Sequence, residues 1–305
     1  MFLHDRIQVG ISSCLLGENV RHDGGHKRNN YINEVLSSWF TFLPFCPEVA
    51  IGLGVPRPTI RLQGLKASPR AVMPAAESRD VTEQLDAYGS ETARLHNFLS
   101  GYILKSRSPS CGMERVKLYD DQGNPAGTAT GIYARAIMEM HPLLPVEEEG
   151  RLNDADLRDS FIERVFAYHR WQSMERTGIT AAAMVSYHTE HKFLIMAHDQ
   201  QAMHRLGRLV AGIKEDPEKL SRTYIRTFME ALKKPATVKN RSNVLQHIAG
   251  FFKNSIDSAD RRELAETIDA YRRDKIPIIA PLTLIRHHLR RNPDAYMEKQ
   301  HLLKF

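Results

Sequence analysis

Short apolar runs alternate with polar loops and helical patterns in the N-terminal part of the chain. The runs at residues 6–12, 40–46 and 102–105 are rich in aliphatic and aromatic side chains, as buried strands are. Residues 31–39 and 82–99 carry apolar side chains at three- and four-residue steps, the period of an amphipathic helix. Strand–loop–helix units of this length predict a parallel sheet with helices on its faces, a Rossmann-like α/β domain. Residues 116–120 and a helical pattern at 131–140 complete this predicted unit.

The second half of the chain has helical spacing almost throughout. Asp216 followed by Pro217 is typical of an N-cap with proline at the first helical position, and Asp257 or Ser258 starts the next helix. Further helical patterns cover residues 180–213, 217–234, 237–254, 258–274 and 281–291. The sequence therefore predicts an all-α C-terminal domain.

A proline- and glutamate-rich segment separates the two patterns. Residues 142–150, with three consecutive glutamates at Glu147 to Glu149, have the composition of an exposed linker. This interpretation gives an N-terminal domain of residues 1–148 and a C-terminal domain of residues 149–305.

Composition and charge limit the class of protein. The 305-residue chain is 42% hydrophobic and 26% charged, as expected of a globular protein, and it has no apolar run of the ~20 residues that a membrane span needs. Residues 1–6 lack the long apolar core of a signal peptide, so we expect a cytoplasmic protein. Residues 1–150 hold 15 basic and 17 acidic residues, a net charge of −2, whereas residues 151–305 hold 27 and 19, a net charge of +8. This asymmetry indicates a catalytic part joined to a part that binds a polyanion.

The three cysteines of the chain share one sequence context. Cys14, Cys46 and Cys111 each follow the end of a predicted strand. Ligands of open parallel sheets bind at the carboxyl ends of the strands, so these thiols are expected to meet in one crevice. The spacing contains no CxxC pair and does not distinguish a catalytic zinc, a redox pair with one spare thiol, and an iron–sulfur cluster.

The residues around these cysteines carry a resemblance. The segments are Ser-Ser-Cys-Leu-Leu-Gly with Val-Arg-His-Asp-Gly-Gly, then Cys-Pro-Glu, then Lys-Ser-Arg-Ser-Pro-Ser-Cys-Gly. In this order they resemble the iron–sulfur thiouracil desulfurases over about residues 5–150. The C-terminal half, with His-Lys-Phe-Leu-Ile-Met-Ala-His at residues 191–198, resembles a domain fused to desulfurases that act on 4-thiouridine in transfer RNA.

The resemblance implies a role for each of five residues. Cys14, Cys46 and Cys111 would hold a [4Fe–4S] cluster through three irons, and the fourth iron would stay open for the substrate's thiocarbonyl sulfur. Glu48, two residues after Cys46, would activate water or carry a proton. Ser108 would orient or protonate the base, with Ser110 as the less favoured choice for that role.

The predicted function is the non-redox, hydrolytic removal of sulfur from 4-thiouridine in transfer RNA, with no stable protein partner and no membrane. Basic residues interleaved with aromatic ones in the C-terminal half suit the binding of RNA phosphates. Two alternatives stay open. One is desulfuration of free thiouracil, and the other, from a different class, is a redox-sensing iron–sulfur protein that binds nucleic acid.

Overall fold

The structure is a computed structural model that describes residues 7–74 and 79–304. Residues 1–6 lie outside the described residues. They include the segment in which we expect no signal peptide and Arg6, the first residue of the first predicted strand. In chain order the N-terminal elements are β1 (Ile7–Ser12), α1 (Asn30–Glu34), β2 (Phe40–Phe45), α2 (Pro47–Ala50), β3 (Arg61–Leu65), β4 (Ser68–Met73), β5 (Arg79–Asp80), α3 (Thr82–Leu95), β6 (Gly101–Leu104), β7 (Val116–Tyr119), β8 (Pro125–Ala129), α4 (Ile132–Met140) and β9 (Val146–Glu148).

A parallel sheet of four strands, in the order β2-β1-β6-β9, forms the centre of the N-terminal domain. The inner strand β6 is buried along its whole length, and Val9 and Ile11 of β1 are fully buried, as in parallel sheets that are covered on both faces. The predicted α/β fold with a parallel sheet is therefore confirmed. The predicted strands at residues 6–12, 40–46 and 102–105 correspond to β1, β2 and β6.

A second sheet, in the order β5-β4-β3-β7-β8, was not predicted. Most of its strand pairs are antiparallel, with β3 and β7 running parallel. Residues 116–120, which the sequence assigns to the parallel sheet, form β7 in this second sheet instead. Strands β3 and β4 are short and follow a proline-rich loop. The alternation of apolar and polar residues that marks a strand is therefore not recognisable there in the sequence.

The predicted linker at residues 142–150 is wrong, because β9 occupies its centre. Strand β9 pairs with β6, and Glu147 and Glu148 are 2% and 7% exposed. Each buried carboxylate has a partner. Arg151 Nε donates to Glu147 at 2.6 Å, and the backbone amide of Met113 donates to Glu148 at 2.8 Å. Acidic side chains that look solvated in the sequence are therefore part of the sheet.

The domain boundary also lies later than predicted. The compact units are Met1–Gln172 and Ser173–Phe305, whereas the sequence suggests a boundary at 148/149. Helix α5 (Ala155–Thr177) belongs mostly to the first unit. The Gln172 side chain accepts a hydrogen bond from Ser100 at 2.8 Å and donates one to the Leu99 carbonyl at 3.1 Å. Val165 and Phe161 of α5 also pack against Gly101 of β6, and these contacts of the helix with the sheet explain the shift.

The second unit is helical in the part of the chain that the structure describes, which confirms the all-α prediction. Its helices are α6 (Ala181–His198), α7 (Gln200–Ala211), α8 (Pro217–Lys233), α9 (Val238–Phe251), α10 (Ser258–Arg272) and α11 (Ile279–Arg291). Asp216 is an N-cap, as predicted, and of the two candidates at the next helix it is Asp257 that caps α10. The single helix expected over 180–213 is broken at Asp199, whose extended backbone ends α6 and whose carboxylate caps α7. None of the helices within residues 7–74 and 79–304 has the length and apolar character of a membrane span.

Candidate active site

The three cysteines lie at the same edge of the parallel sheet. Cys14 is in a 3-10 turn directly after β1, Cys46 follows β2, and Cys111 is in the loop after β6. Strands β2, β1 and β6 are neighbours and run in the same direction, so their carboxyl ends meet. All three thiols line one pocket of about 340 Å³. The expected convergence therefore occurs, and the pocket is large enough for a small ring compound beside a bound inorganic centre.

The loop that carries Cys111 is fixed by the start of helix α4. The first amides of a helix have no acceptor within it, and here Ile132 and Ala134 donate to the carbonyls of Pro109 and Ser110 at 3.1 Å each. Gly131 permits this approach, because a Cβ at that position would lie 2.6 Å from the Ser110 carbonyl oxygen. The backbone on both sides of Cys111 is thus fixed to the start of α4.

Burial makes the three thiols weak acids in the free protein. It raises the pKa of Cys14 to about 11, with a further contribution from the nearby Cys46 sulfur. Burial raises the pKa of Cys46 and, to a greater degree, the pKa of Cys111, on which Cys46 and Cys14 also act. The sulfurs are close enough to influence one another's charge. A centre that takes them as thiolates must therefore bring positive charge and displace protons.

The three thiols are free rather than paired in a disulfide, and all of them line one pocket, so each can serve as a ligand. Iron–sulfur clusters are held by cysteine thiolates, and each sulfur binds a different iron. The residues present therefore fit an iron–sulfur cluster.

Glu48 lies in the same pocket and is held by Arg57. Arg57 donates to Glu48 Oε2 through Nε at 2.9 Å and through Nη2 at 2.6 Å. Arg57 also donates to two backbone carbonyls, from Nη1 to Gly54 and from Nη2 to Val20, each at 2.8 Å. The Arg57 side chain is 3% exposed and that of Glu48 is 15% exposed. A charge-assisted, forked contact of this kind holds the carboxylate in one orientation.

Two serines of the Cys111 loop take different positions. Ser108 lines the pocket, and its hydroxyl accepts from the amides of Ser110 at 3.3 Å and Cys111 at 3.1 Å. Its own hydrogen is therefore available to a ligand. Ser110 is fully buried, and its hydroxyl donates to Glu48 Oε1 at 2.9 Å. The sequence resemblance assigns Ser108 to the base of the substrate, and Ser108 is the serine that lines the pocket, whereas Ser110 contacts Glu48.

Comparison with known proteins finds a family model that covers the residues of this pocket. Residues 9–149 match the sequence model of a family described as 2-thiouracil desulfurase. The chain is also 35% identical, over 144 residues, to the uncharacterized protein YbgA of Escherichia coli strain K12, and this match covers 47% of the chain and 85% of YbgA.

The N-terminal half of the chain is therefore similar to the 2-thiouracil desulfurase family.

This desulfurase half spans β1 to β9 and includes all three cysteines, Glu48 and Ser108. Among solved structures, the chain is similar to a protein described as the [4Fe–4S]-dependent thiouracil desulfidase TudS, with 31% identity and a TM-score of 0.40. This similarity covers 50% of the chain and 98% of TudS. The family supports desulfuration as the activity of the N-terminal half.

The C-terminal half matches a different family. Residues 192–305 correspond to DUF1722, described as a protein family of unknown function. That description names no transfer RNA and no 4-thiouridine, so the partner-domain role implied by the sequence resemblance stays a prediction.

The mouth of the desulfurase pocket is rich in cations. Arg21 pairs with Asp23 at 3.2 Å, and Lys105 pairs with Glu149, which also accepts from the Ser106 amide at 2.7 Å. Arg107 lines the pocket with an exposed side chain and a positive φ of 60°. Arg57 also lines the pocket, where it contacts Glu48. Its only signal in the sequence is its position between two prolines, nine residues after Glu48.

Proposed function

We propose that the chain removes sulfur from 4-thiouridine in transfer RNA and leaves uridine. The oxygen of one water replaces the sulfur of the thiocarbonyl, and the sulfur leaves as hydrogen sulfide. The carbon keeps its oxidation state, so the reaction needs neither an oxidant nor a reductant. This substrate rests on the sequence resemblance and on the basic C-terminal half, and the chemistry rests on the pocket.

One observation carries the proposal. A trio of thiols, a carboxylate and a pocket-facing hydroxyl line the same cavity at the carboxyl edge of the parallel sheet. Cys14, Cys46 and Cys111 would be the ligands of a [4Fe–4S] cluster. When bound by three cysteines, such a cluster keeps one iron without a protein ligand, and that iron is a soft Lewis acid suited to a thiocarbonyl sulfur.

Glu48 is proposed as the base that takes a proton from the attacking water. Both hydrogen bonds from Arg57 go to Oε2, and Oε1 receives one from Ser110. A carboxylate oxygen accepts more than one hydrogen bond, so Oε1 keeps capacity for a water in the pocket. Arg57 and Ser110 would act through Glu48 by fixing which oxygen faces the substrate.

Ser108 is proposed to hold the base of the substrate. Its hydroxyl accepts two backbone hydrogen bonds and has one hydrogen left to donate. A ring nitrogen or carbonyl oxygen of a thiolated pyrimidine would accept that hydrogen. This contact would orient the ring and stabilise negative charge that develops on it as water attacks.

Desulfuration of free thiouracil is the second candidate function. The description of the matching family favours it, because that description names 2-thiouracil. Both functions use the same pocket, and they differ in whether the basic second unit contributes to substrate binding.

The test uses anaerobically reconstituted full-length protein with two substrates, 4-thiouridine-containing transfer RNA and free 4-thiouracil. Loss of the near-ultraviolet absorbance of the thiocarbonyl reports the reaction. Turnover of the transfer RNA at a kcat/KM at least about tenfold above that of the free base, a difference of about 1.4 kcal/mol, supports the RNA substrate. Turnover of the free base alone would contradict it and support the second candidate.

A further inference from the structure

A polar groove lies at the start of helix α9 in the second unit. It has a volume of about 770 Å³, and its lining includes Gln200, Lys239, Ser242, Asn243, Gln246 and Arg272. No carboxylate is among the residues that line it. Helix α9 itself, Val-Lys-Asn-Arg-Ser-Asn-Val-Leu-Gln-His-Ile-Ala-Gly-Phe, has no acidic residue along its 14 positions. The groove is therefore a neutral-to-basic surface with several amide side chains.

The first turn of α9 presents backbone donors. Thr237 is the N-cap, and its hydroxyl accepts from the Asn240 amide at 3.2 Å. The amides of Val238 and Lys239 are then the ones left for an acceptor outside the helix. The helix macrodipole adds a partial positive charge at this end, and such a helix start is a favourable place for a phosphate.

Ser242 supplies an independent indication of a ligand. The residue is 2% exposed and lines the groove, and its hydroxyl has no hydrogen-bond partner among the described residues. A buried hydroxyl without a partner costs about 1–3 kcal/mol. Most buried polar groups in folded proteins are satisfied, so this one calls for an acceptor or donor that arrives from the groove.

We infer that this groove binds the phosphate backbone of an RNA strand. The helix start, Lys239 and the Ser242 hydroxyl would hold one phosphate. Arg272 adds positive charge at the rim, although Asp269 lies 3.8 Å from its Nε and offsets part of it. The choice of RNA as the source of the phosphate rests on the proposed function.

The amide side chains favour a polynucleotide over a free phosphate ion. Asn243, Gln246 and Gln200 each offer both donors and acceptors, which suit sugar hydroxyls and base edges next to the phosphate. The groove is also far larger than one phosphate group. A site for an inorganic anion alone would need neither feature.

The test measures binding of fluorescently labelled transfer RNA to the full-length protein by anisotropy. Ser242→Ala and Lys239→Gln are compared with Lys253→Gln. Lys253 is exposed and lies just beyond the other end of α9, about 20 Å along the helix axis. We expect Ser242→Ala and Lys239→Gln to raise the Kd about three- to tenfold. We also expect Lys239→Gln to reduce the slope of log K against log salt by about one, and Lys253→Gln to change Kd less than twofold.

Thermal unfolding of the RNA-free protein tests whether the Ser242 hydroxyl has a partner within the fold. The alanine variant loses no hydrogen bond, so its Tm should equal or exceed that of the wild type. A lower Tm would mean that the hydroxyl has a structural partner, and it would overturn the inference. Binding by Ser242→Ala and Lys239→Gln equal to that of the wild type, or an equal loss in all three variants, would also overturn it.

Inorganic phosphate and free 4-thiouracil separate this inference from the proposed function. Phosphate at millimolar concentration that displaces no transfer RNA agrees with a polynucleotide site, whereas full displacement would make the site one for a free anion. Desulfuration of free 4-thiouracil should be the same in all three variants. If no preparation desulfurates any substrate but the binding pattern holds, the proposed function fails and the groove assignment stands.

Discussion

Arg57 donates two hydrogen bonds to the same oxygen of Glu48, at 2.9 and 2.6 Å. The other oxygen of that carboxylate faces the Ser110 hydroxyl at 2.9 Å. The carboxylate is thereby fixed in rotation at a pocket that three cysteines line. Because of this geometry, the contribution of Arg57 to kcat can be tested separately from that of Glu48.

We expect Arg57→Lys to lower kcat about 10- to 100-fold. Lysine keeps the charge but cannot make the forked contact or reach both backbone carbonyls, so Glu48 would lose its fixed orientation. Glu48→Gln should lower kcat more, because it removes the base while preserving the shape. Steady-state desulfuration of free 4-thiouracil measures both effects, and the visible absorbance of the cluster should stay unchanged.

The double variant Glu48→Gln with Arg57→Lys shows whether Arg57 acts through Glu48. Residues in one hydrogen-bond network are not additive, so the second substitution should add less than about threefold to the loss from Glu48→Gln. If the loss of kcat in the double variant equals the product of the two single-variant losses, Arg57 contacts the substrate itself.

The two serines of the Cys111 loop should separate into different phenotypes. Ser110→Ala removes the donor to Glu48 Oε1 and should reduce kcat about tenfold without affecting the lifetime of the cluster. Ser108→Ala removes the proposed donor to the substrate's base, so kcat should fall as well. It also removes the acceptor for the Cys111 amide, so the loop should loosen and, unlike in Ser110→Ala, the cluster should decay faster in air. Absorbance decay and kcat, measured on the same samples, distinguish them. Identical behaviour of the two variants would contradict the assigned contacts.

Glu148 gives a prediction about pH. Burial raises the pKa of its carboxyl above the ordinary value, while the amides of Met113 and Glu114 oppose that shift. Because its pKa is higher in the folded protein than in the unfolded chain, protonation of the Glu148 carboxyl favours the folded state. This contribution to stability is complete below about pH 4.5 and is lost as the pH rises through the pKa of the folded state. Glu148→Gln keeps an acceptor for Met113, so it should be more stable than the wild type at pH 7.5. The two proteins should converge at pH 4.

Urea denaturation at both pH values measures this difference in the free energy of unfolding. Groups that titrate identically in the two proteins cancel, which leaves Glu148 alone. A difference that grows toward acid pH would show that the carboxylate is stabilised by its amide contacts rather than penalised by burial.

The position of α5 predicts where the chain can be shortened. A protein that ends at Thr177 keeps the Gln172 contacts with Ser100 and Leu99 and should unfold cooperatively. A protein that ends at residue 148 loses α5, and the packing of Val165 on Gly101 with it. Circular dichroism melts of the two truncated proteins check this. A sharp transition with an equal Tm for the shorter one would restore the boundary at 148/149.

The sequence was sufficient to predict the parallel sheet and the meeting of the cysteines. Buried parallel strands are continuous apolar runs, and their carboxyl ends share one edge, so Cys14, Cys46 and Cys111 could be brought together without coordinates. The N-caps Asp216 and Asp257 were also among the residues that the sequence pointed to, because a capping aspartate needs only local contacts.

The remaining features depend on contacts between distant segments. Three consecutive glutamates look like a linker until Arg151, Lys105 and the Met113 amide are placed beside them. The partnership of Arg57 with Glu48 has no period or motif that marks it. The unpartnered hydroxyl of Ser242 is visible only once the helices around it are packed.

The most direct test is a single anaerobic experiment on the full-length chain. The protein is reconstituted with iron and sulfide, its iron is counted, and it is mixed with 4-thiouridine-containing transfer RNA. The account predicts about four irons per chain, loss of the thiocarbonyl absorbance, and release of one sulfide for each thiouridine consumed. A protein that carries this iron, binds the RNA and leaves the thiouridine intact would contradict it.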